Sequence, residues 1–155
     1  MSSAIEQRLA DLGLTLPDAA APAANYVPFT VAGGLLFVSG QVPMRDGRVA
    51  FTGKLAAAAD VERGQEAARL CALNVLAQAR AACGGDLGRL RRCVRLGGFV
   101  ASMPAFTDQH KVINGASDLI AAALGEAGRH ARFAVGCSAL PLDAAVEVEA
   151  IFEIG

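Results

Sequence analysis

The stretch from His130 to Ile154, HARFAVGCSALPLDAAVEVEAIFEI, constrains this chain more than any other, because strict alternation leaves little choice of structure. Phe133, Val135 and Cys137 alternate with Arg132, Ala134 and Gly136. Further on, Val146, Val148, Ala150, Phe152 and Ile154 alternate with Glu147, Glu149 and Glu153. Successive side chains of a strand point to opposite faces, so two strands are predicted, each with an apolar face and a polar or small-residue face. Leu140-Pro141 and Asp143 break the pattern between them and supply a connection. If the two strands pair over one core, Phe133 and Val135 point inward, and Arg132 and the glutamates emerge together on the far side. That face is open to two readings. It is a wet surface with an Arg–Glu pair contributing roughly 0–1 kcal/mol, or it is a site where the guanidinium, with Ala134 and Gly136 beside it, holds a small anion next to a carboxylate.

The rest of the chain has to supply a core for these strands. Hydrophobic residues make up 54 % of it and charged residues 19 %. That is a high apolar share for 155 residues, met partly by alanine and partly, we expect, by burial against other subunits. No run is long and apolar enough for a membrane span. The first residues, MSSAIEQRLADLG, lack the layout of a signal peptide, so a cytoplasmic protein is expected. Net charge is -1 with no basic stripe, which argues against nucleic acid as a partner. Cys71, Cys83, Cys93 and Cys137 form no CxxC pair, which argues against zinc and fits buried free thiols.

In chain order, Ile5, Leu9 and Leu12 predict a short amphipathic helix ending at Gly13, followed by a Pro- and Ala-rich tether over 15–25. Residues 26–43 predict a β-hairpin turning at Gly33-Gly34, with Ser39-Gly40 a bulged strand end or a place where backbone N–H groups meet a ligand. A turn at Arg45–Arg48 precedes a short strand over 49–52. Asp60 to Cys83 reads as a helix capped by Asp60. Leu87 to Arg92 reads as a helical turn, and Val94 to Ala101 as a strand bulged at Gly97-Gly98. Phe106 to Gly125 is a second long helix, with Asn114 off its apolar stripe. His110 and His130 have no metal-ligand spacing and read as surface or loop residues. The order predicts an α+β sandwich with both helices on one sheet face.

His130-Ala-Arg132, Leu140-Pro141 and Val146–Glu149, taken with Tyr26, Val38-Ser39-Gly40-Gln41-Val42-Pro43 and Asn114, resemble the signature of the reactive intermediate deaminase family. These are the RidA-like proteins, also labelled endoribonuclease L-PSP. The resemblance runs from residue 22 to 155 and leaves residues 1–21, helix and tether, as the appended segment of a longer subfamily within one 1–155 domain. It implies a chorismate-mutase-like α+β fold, a mixed sheet with two helices on one face, and a homotrimer with inward-facing sheets and ligand clefts between subunits. It further implies hydrolysis of 2-imino or enamine acids to 2-keto acids and ammonia, with no metal and no organic cofactor.

By position, Arg132 would hold the substrate carboxylate and Glu147 would position or deprotonate water. Tyr26, Ser39, Gly40 and Asn114 would line the pocket, some of them across a subunit boundary. Departures are Phe133 where many members have Ser, Ala134 where many have Cys, His130 for a frequent Pro, and Asn25 before Tyr26. The alternatives are a trimer that binds a keto or imino acid without turnover, and a ribonuclease. Near-neutral charge and the lack of stacking aromatics on a basic face argue against the latter.

Overall fold

Alternation and glycine turns fix the strands locally, and a computed structural model describing residues 2–155 gives their arrangement. In chain order the elements are α1 (Ala4–Asp11), β1 (Phe29–Ala32), β2 (Leu35–Gln41), β3 (Met44–Arg45), β4 (Arg48–Val49), α2 (Val61–Ala82), β5 (Leu90–Ala101), α3 (Gln109–Leu124), β6 (Ala131–Cys137) and β7 (Val146–Ile154). Five strands form one mixed sheet in the order β1-β2-β7-β5-β6, and β3 and β4 form a separate small ribbon. The β1–β2 hairpin closes through Gly33 (φ 58°) and Gly34 (φ 76°), two positive angles that match the twist of the flanking strands.

Helices α2 and α3 pack together on one face of the sheet. Leu36 and Val38 of β2, Val146, Val148, Ala150 and Phe152 of β7, and Leu96 and Val100 of β5 are fully or almost fully buried beneath them. Burying Phe152 alone contributes roughly 2–3 kcal/mol. The helices cross closely because Gly115 lies on the Gln65 carbonyl, where a Cβ would collide with backbone. The N-terminal segment is tied to this layer. Ser3 caps α1 in a reciprocal box with Glu6, Ile5 and Leu9 are buried, and Arg8 Nη1 donates to the Ala123 carbonyl at 3.2 Å. The tether then buries Leu16 and accepts a 2.6 Å hydrogen bond at the Ala20 carbonyl from Nε2 of Gln78, itself 1 % exposed.

Several expectations are corrected. Strands β6 and β7 do not pair; β5 lies between them, antiparallel to β7 and parallel to β6. In that register Arg132 stands beside Leu96, on the helix side, and Phe133 stands beside Gly97, on the uncovered side. Phe133 and Val135 therefore do not enter the core, and Arg132 does not share a face with Glu147. The Gly97-Gly98 pair is not a bulge: the register shifts in β5 fall at Leu90/Arg92 and Cys93/Arg95. Those glycines permit close approach instead, since a Cβ on Gly97 would meet the Phe133 ring and one on Gly98 would meet Ile113. The helical turn after α2 is confined to Leu87–Arg89, and β5 starts at Leu90. Asp60 stands at the N-cap position of α2, but its side chain makes no capping hydrogen bond to the helix. Its carboxylate accepts from the N–H groups of Ala56 (2.7 Å) and Ala57 (3.0 Å) and closes the preceding turn.

Candidate functional site

Two clusters carry the chemistry, one on each side of the sheet. On the helix side, Arg132 projects from edge strand β6 toward α3. Its Nη1 donates to Asn114 Oδ1 (2.9 Å) and Ser117 Oγ (3.1 Å), and its Nη2 donates to the His110 carbonyl (2.8 Å). Asn114 and Ser117 are three residues apart and so lie one above the other on the helix surface. Both Nη1 hydrogens and one on Nη2 are thereby used. Nε–H and one Nη2 hydrogen make no hydrogen bond among the described residues, and such donors suit a carboxylate.

On the uncovered side, β2 slips register against β7 between Val38 and Gln41, and Ser39-Gly40 forms the bulge. Ser39 is committed to holding it: its N–H donates to the Pro28 carbonyl at 2.9 Å and its hydroxyl to the Val27 carbonyl at 2.8 Å. The bulge brings Gly40 against the Glu147 carboxylate so closely that a Cβ would overlap Oε1. Burial raises the proton affinity of Glu147 above that of an ordinary glutamate. A cavity of about 310 Å³ opens beside it, walled by tether residues 20–24, Tyr26, Val42, Met44 and Leu142. A shallower hollow on its other flank is lined by Gly40, Arg95, Phe99, Phe133 and Glu149. Arg95 donates to Glu149 at 2.8 Å and lies 5.8 Å from the Phe133 ring centroid, and Phe133 packs edge-on against Phe99 at 5.3 Å.

The structure thus brings Tyr26, Gly40 and Glu147 into one cavity, and Arg132 and Asn114 into one hydrogen-bonded group. It does not bring the two groups together within a protomer. Ser39 acts on the backbone and not on the cavity. Four contributors were missed from sequence. Ser117 was legible as the residue one turn beyond Asn114. His130 lies in a loop, as expected, but is half-buried and bonded at both nitrogens, which its spacing does not signal. The tether wall and the Arg95–Glu149 pair left no local signal. Among the described residues no three His, Cys, Asp or Glu side chains converge on a possible metal position. No helix among them is long and apolar enough to cross a membrane. Cys71, Cys83 and Cys93 are buried and Cys137 is partly so; burial pushes the Cys93 thiol up to about 12.

A mixed sheet backed by two helices on one face, with a half-buried carboxylate on the other, defines a chorismate-mutase-like α+β protein. The chain belongs to the family described as "YjgF/chorismate_mutase-like, putative endoribonuclease", which matches residues 6–154. Protein TCP17 of Trypanosoma cruzi is 52 % identical over 154 residues, covering 99 % of this chain and 96 % of that one. The crystal structure of Atu1372, a protein of unknown function from Agrobacterium tumefaciens, is 57 % identical with a TM-score of 0.90, covering 98 % of this chain and 94 % of that one. A "putative endoribonuclease" from Shewanella oneidensis is 37 % identical with a TM-score of 0.92, covering 97 % and 99 % respectively.

Proposed function

We propose that this protein is a hydrolytic deaminase of reactive 2-imino and enamine acids, yielding 2-keto acids and ammonia in clefts between the subunits of a homotrimer. The observation that carries the reading is Glu147, a carboxylate made more basic by burial and seated at a cavity beside a side-chain-free residue. Such a group takes a proton from water as the water oxygen bonds to the imine carbon. That proton goes to the imine nitrogen and gives a carbinolamine; the hydroxyl proton then follows through the same carboxylate to the amino nitrogen, so the C–N bond breaks as the carbonyl forms and ammonia leaves. The substrate is already activated, so positioning supplies most of the remaining acceleration.

Arg132 and Glu147 lie on opposite faces of one sheet, so a ligand that touches both needs two protomers. The uncovered face fits such an assembly. Phe37, Ile151, Phe99, Phe133 and Val135 form an apolar surface there, with Phe37 39 % and Val135 44 % exposed. An edge strand of a neighbouring copy laid on this face would bring Arg132 toward Glu147 of the partner subunit. The test is release of ammonia and keto acid from imines generated by a dehydratase or an amino-acid oxidase. Native turnover by Arg132→Ala would refute the assignment.

Arg95 and Glu149 are paired with each other, so among the described residues Glu147 is the one carboxylate of the two hollows free for proton transfer; the alternative, a trimer that binds a keto or imino acid without turnover, leaves it idle. Saturable binding of a 2-keto acid without ammonia release would establish that role. Ribonuclease activity has less support, since Glu147, Glu149 and Glu153 on the uncovered face repel a phosphate backbone.

A further inference from the structure

The guanidinium of Arg132 is held by a chain of hydrogen bonds that runs beyond the residues assigned to the cleft. Ser117 Oγ accepts from Arg132 Nη1 at 3.1 Å and lies 2.9 Å from His130 Nε2, while His130 Nδ1 lies 2.6 Å from the Gly128 carbonyl. A carbonyl only accepts, so the imidazole carries a proton on Nδ1 and donates it to Gly128. In the neutral ring Nε2 is then an acceptor, and the single hydroxyl proton of Ser117 goes to it. With that proton committed, the lone pairs of Ser117 are turned toward Arg132. The chain therefore has one polarity, from Arg132 to Ser117 to His130 to Gly128.

Its anchor is rigid. Gly128 is buried where a Cβ would collide with the Ile120 carbonyl, so the turn after α3 is pressed onto the helix that carries Ser117. Asn114 and the His110 carbonyl fix the guanidinium from the same helix, and Ser117 fixes its remaining Nη1 hydrogen. Together they hold Nη1 and Nη2 against α3 and leave Nε–H without a hydrogen bond among the described residues.

We propose that His130 and Ser117 are positioning residues for the anion grip of Arg132: they hold the guanidinium in one orientation, leaving its unpaired N–H groups for an incoming carboxylate, without touching the ligand. This rests on the reading of Arg132 as the carboxylate holder. A guanidinium that pre-exists in one plane loses less freedom on binding than one that must be ordered by the ligand.

The test is an NMR titration of the full-length protein with pyruvate, accompanied by thermal melts. Arg132→Ala should abolish saturable binding. Ser117→Ala and His130→Phe should each weaken it about tenfold, the size expected for one lost hydrogen bond to a charged group. Ser117→Thr, which keeps the hydroxyl, and His130→Gln, which keeps a donor and an acceptor, should restore most of the affinity. The double variant Ser117→Ala/His130→Phe should be no weaker than either single one, because one chain is broken in both cases. Native affinity in Ser117→Ala and His130→Phe, whatever their melting temperatures, overturns the positioning role and leaves Arg132 as the carboxylate holder. Native affinity in Arg132→Ala overturns both.

Discussion

Gly40→Ala separates the geometry of the cleft from the stability of the fold. A Cβ built on Gly40 overlaps Glu147 Oε1 and sits 2.9 Å from Cδ and 3.1 Å from Cγ of the same side chain. Gly40 does not occupy the positive-φ region, so alanine brings no backbone strain there. What must move is the end of a flexible side chain, and the cost to the fold is about 1 kcal/mol. The cost to chemistry is larger. Restoring ordinary contact displaces the carboxylate by ~1 Å, and a misplacement of that size lowers the rate on the order of 100-fold. In an assay of imine hydrolysis, kcat/KM should fall by that factor while the melting curve moves by only a few degrees. Gly115→Ala is the opposite control. Its Cβ would strike the Gln65 carbonyl, with Gln65 C at 2.8 Å, and backbone cannot rotate away. Helices α2 and α3 would have to separate, so the fold should be lost or severely weakened. Native kcat/KM in Gly40→Ala would refute the placement of Glu147 in the chemistry. So would a loss of activity matched by the fraction unfolded.

Glu147→Gln should abolish turnover yet raise the melting temperature at neutral pH. The folded chain holds the Glu147 proton to higher pH than the unfolded chain does, so stability falls as pH rises through that window, and glutamine removes the penalty. A melting temperature that falls at pH 7 and rises in acid relative to the native chain would contradict this. If the chain assembles as the proposed trimer, Phe133→Asp should lower the mass measured by light scattering from three times 15.8 kDa to one, since it places a charge in the apolar face; an unchanged mass would place subunit contacts elsewhere. Gln78→Leu removes the 2.6 Å bond to the Ala20 carbonyl, should cost about 1–2 kcal/mol, and should raise KM more than it lowers kcat because the tether walls the cavity. Unaltered KM with lowered stability would restrict the tether to a structural role.

Local pattern carried much of this protein. The hairpin, both long helices, the N-terminal helix and β7 follow from period-two or helical spacing closed by glycine, and the structure has them within a few residues. The family resemblance groups Tyr26, Ser39, Gly40, Asn114, Arg132 and Glu147 in one pocket; within the protomer Tyr26, Gly40 and Glu147 line one cavity, whereas Arg132 and Asn114 are hydrogen-bonded to each other on the other face of the sheet. Strand order was not legible, because nothing in the alternation of β6 and β7 says that β5, from earlier in the chain, slides between them.

The face of β6 was misassigned for a physical reason. In a strand with one wet side the larger apolar residues, here Phe133 and Val135, mark the core. In β6 the small residues Ala134 and Gly136 face the helices, where space is short, and Arg132 reaches across them to α3. A strand that places its bulk away from its own core and ends the sheet is patterned for burial on two sides. The protomer supplies only one of them, with Val135 left 44 % exposed. The side that misled the reading is thus the side on which the proposed trimer needs a second copy, and the departure of Phe133 from the family pattern falls in the wall of the hollow beside Glu147. Substitution there should alter assembly and substrate choice together, whereas substitution at Ser117 or His130 on the opposite face should alter only the grip on the carboxylate.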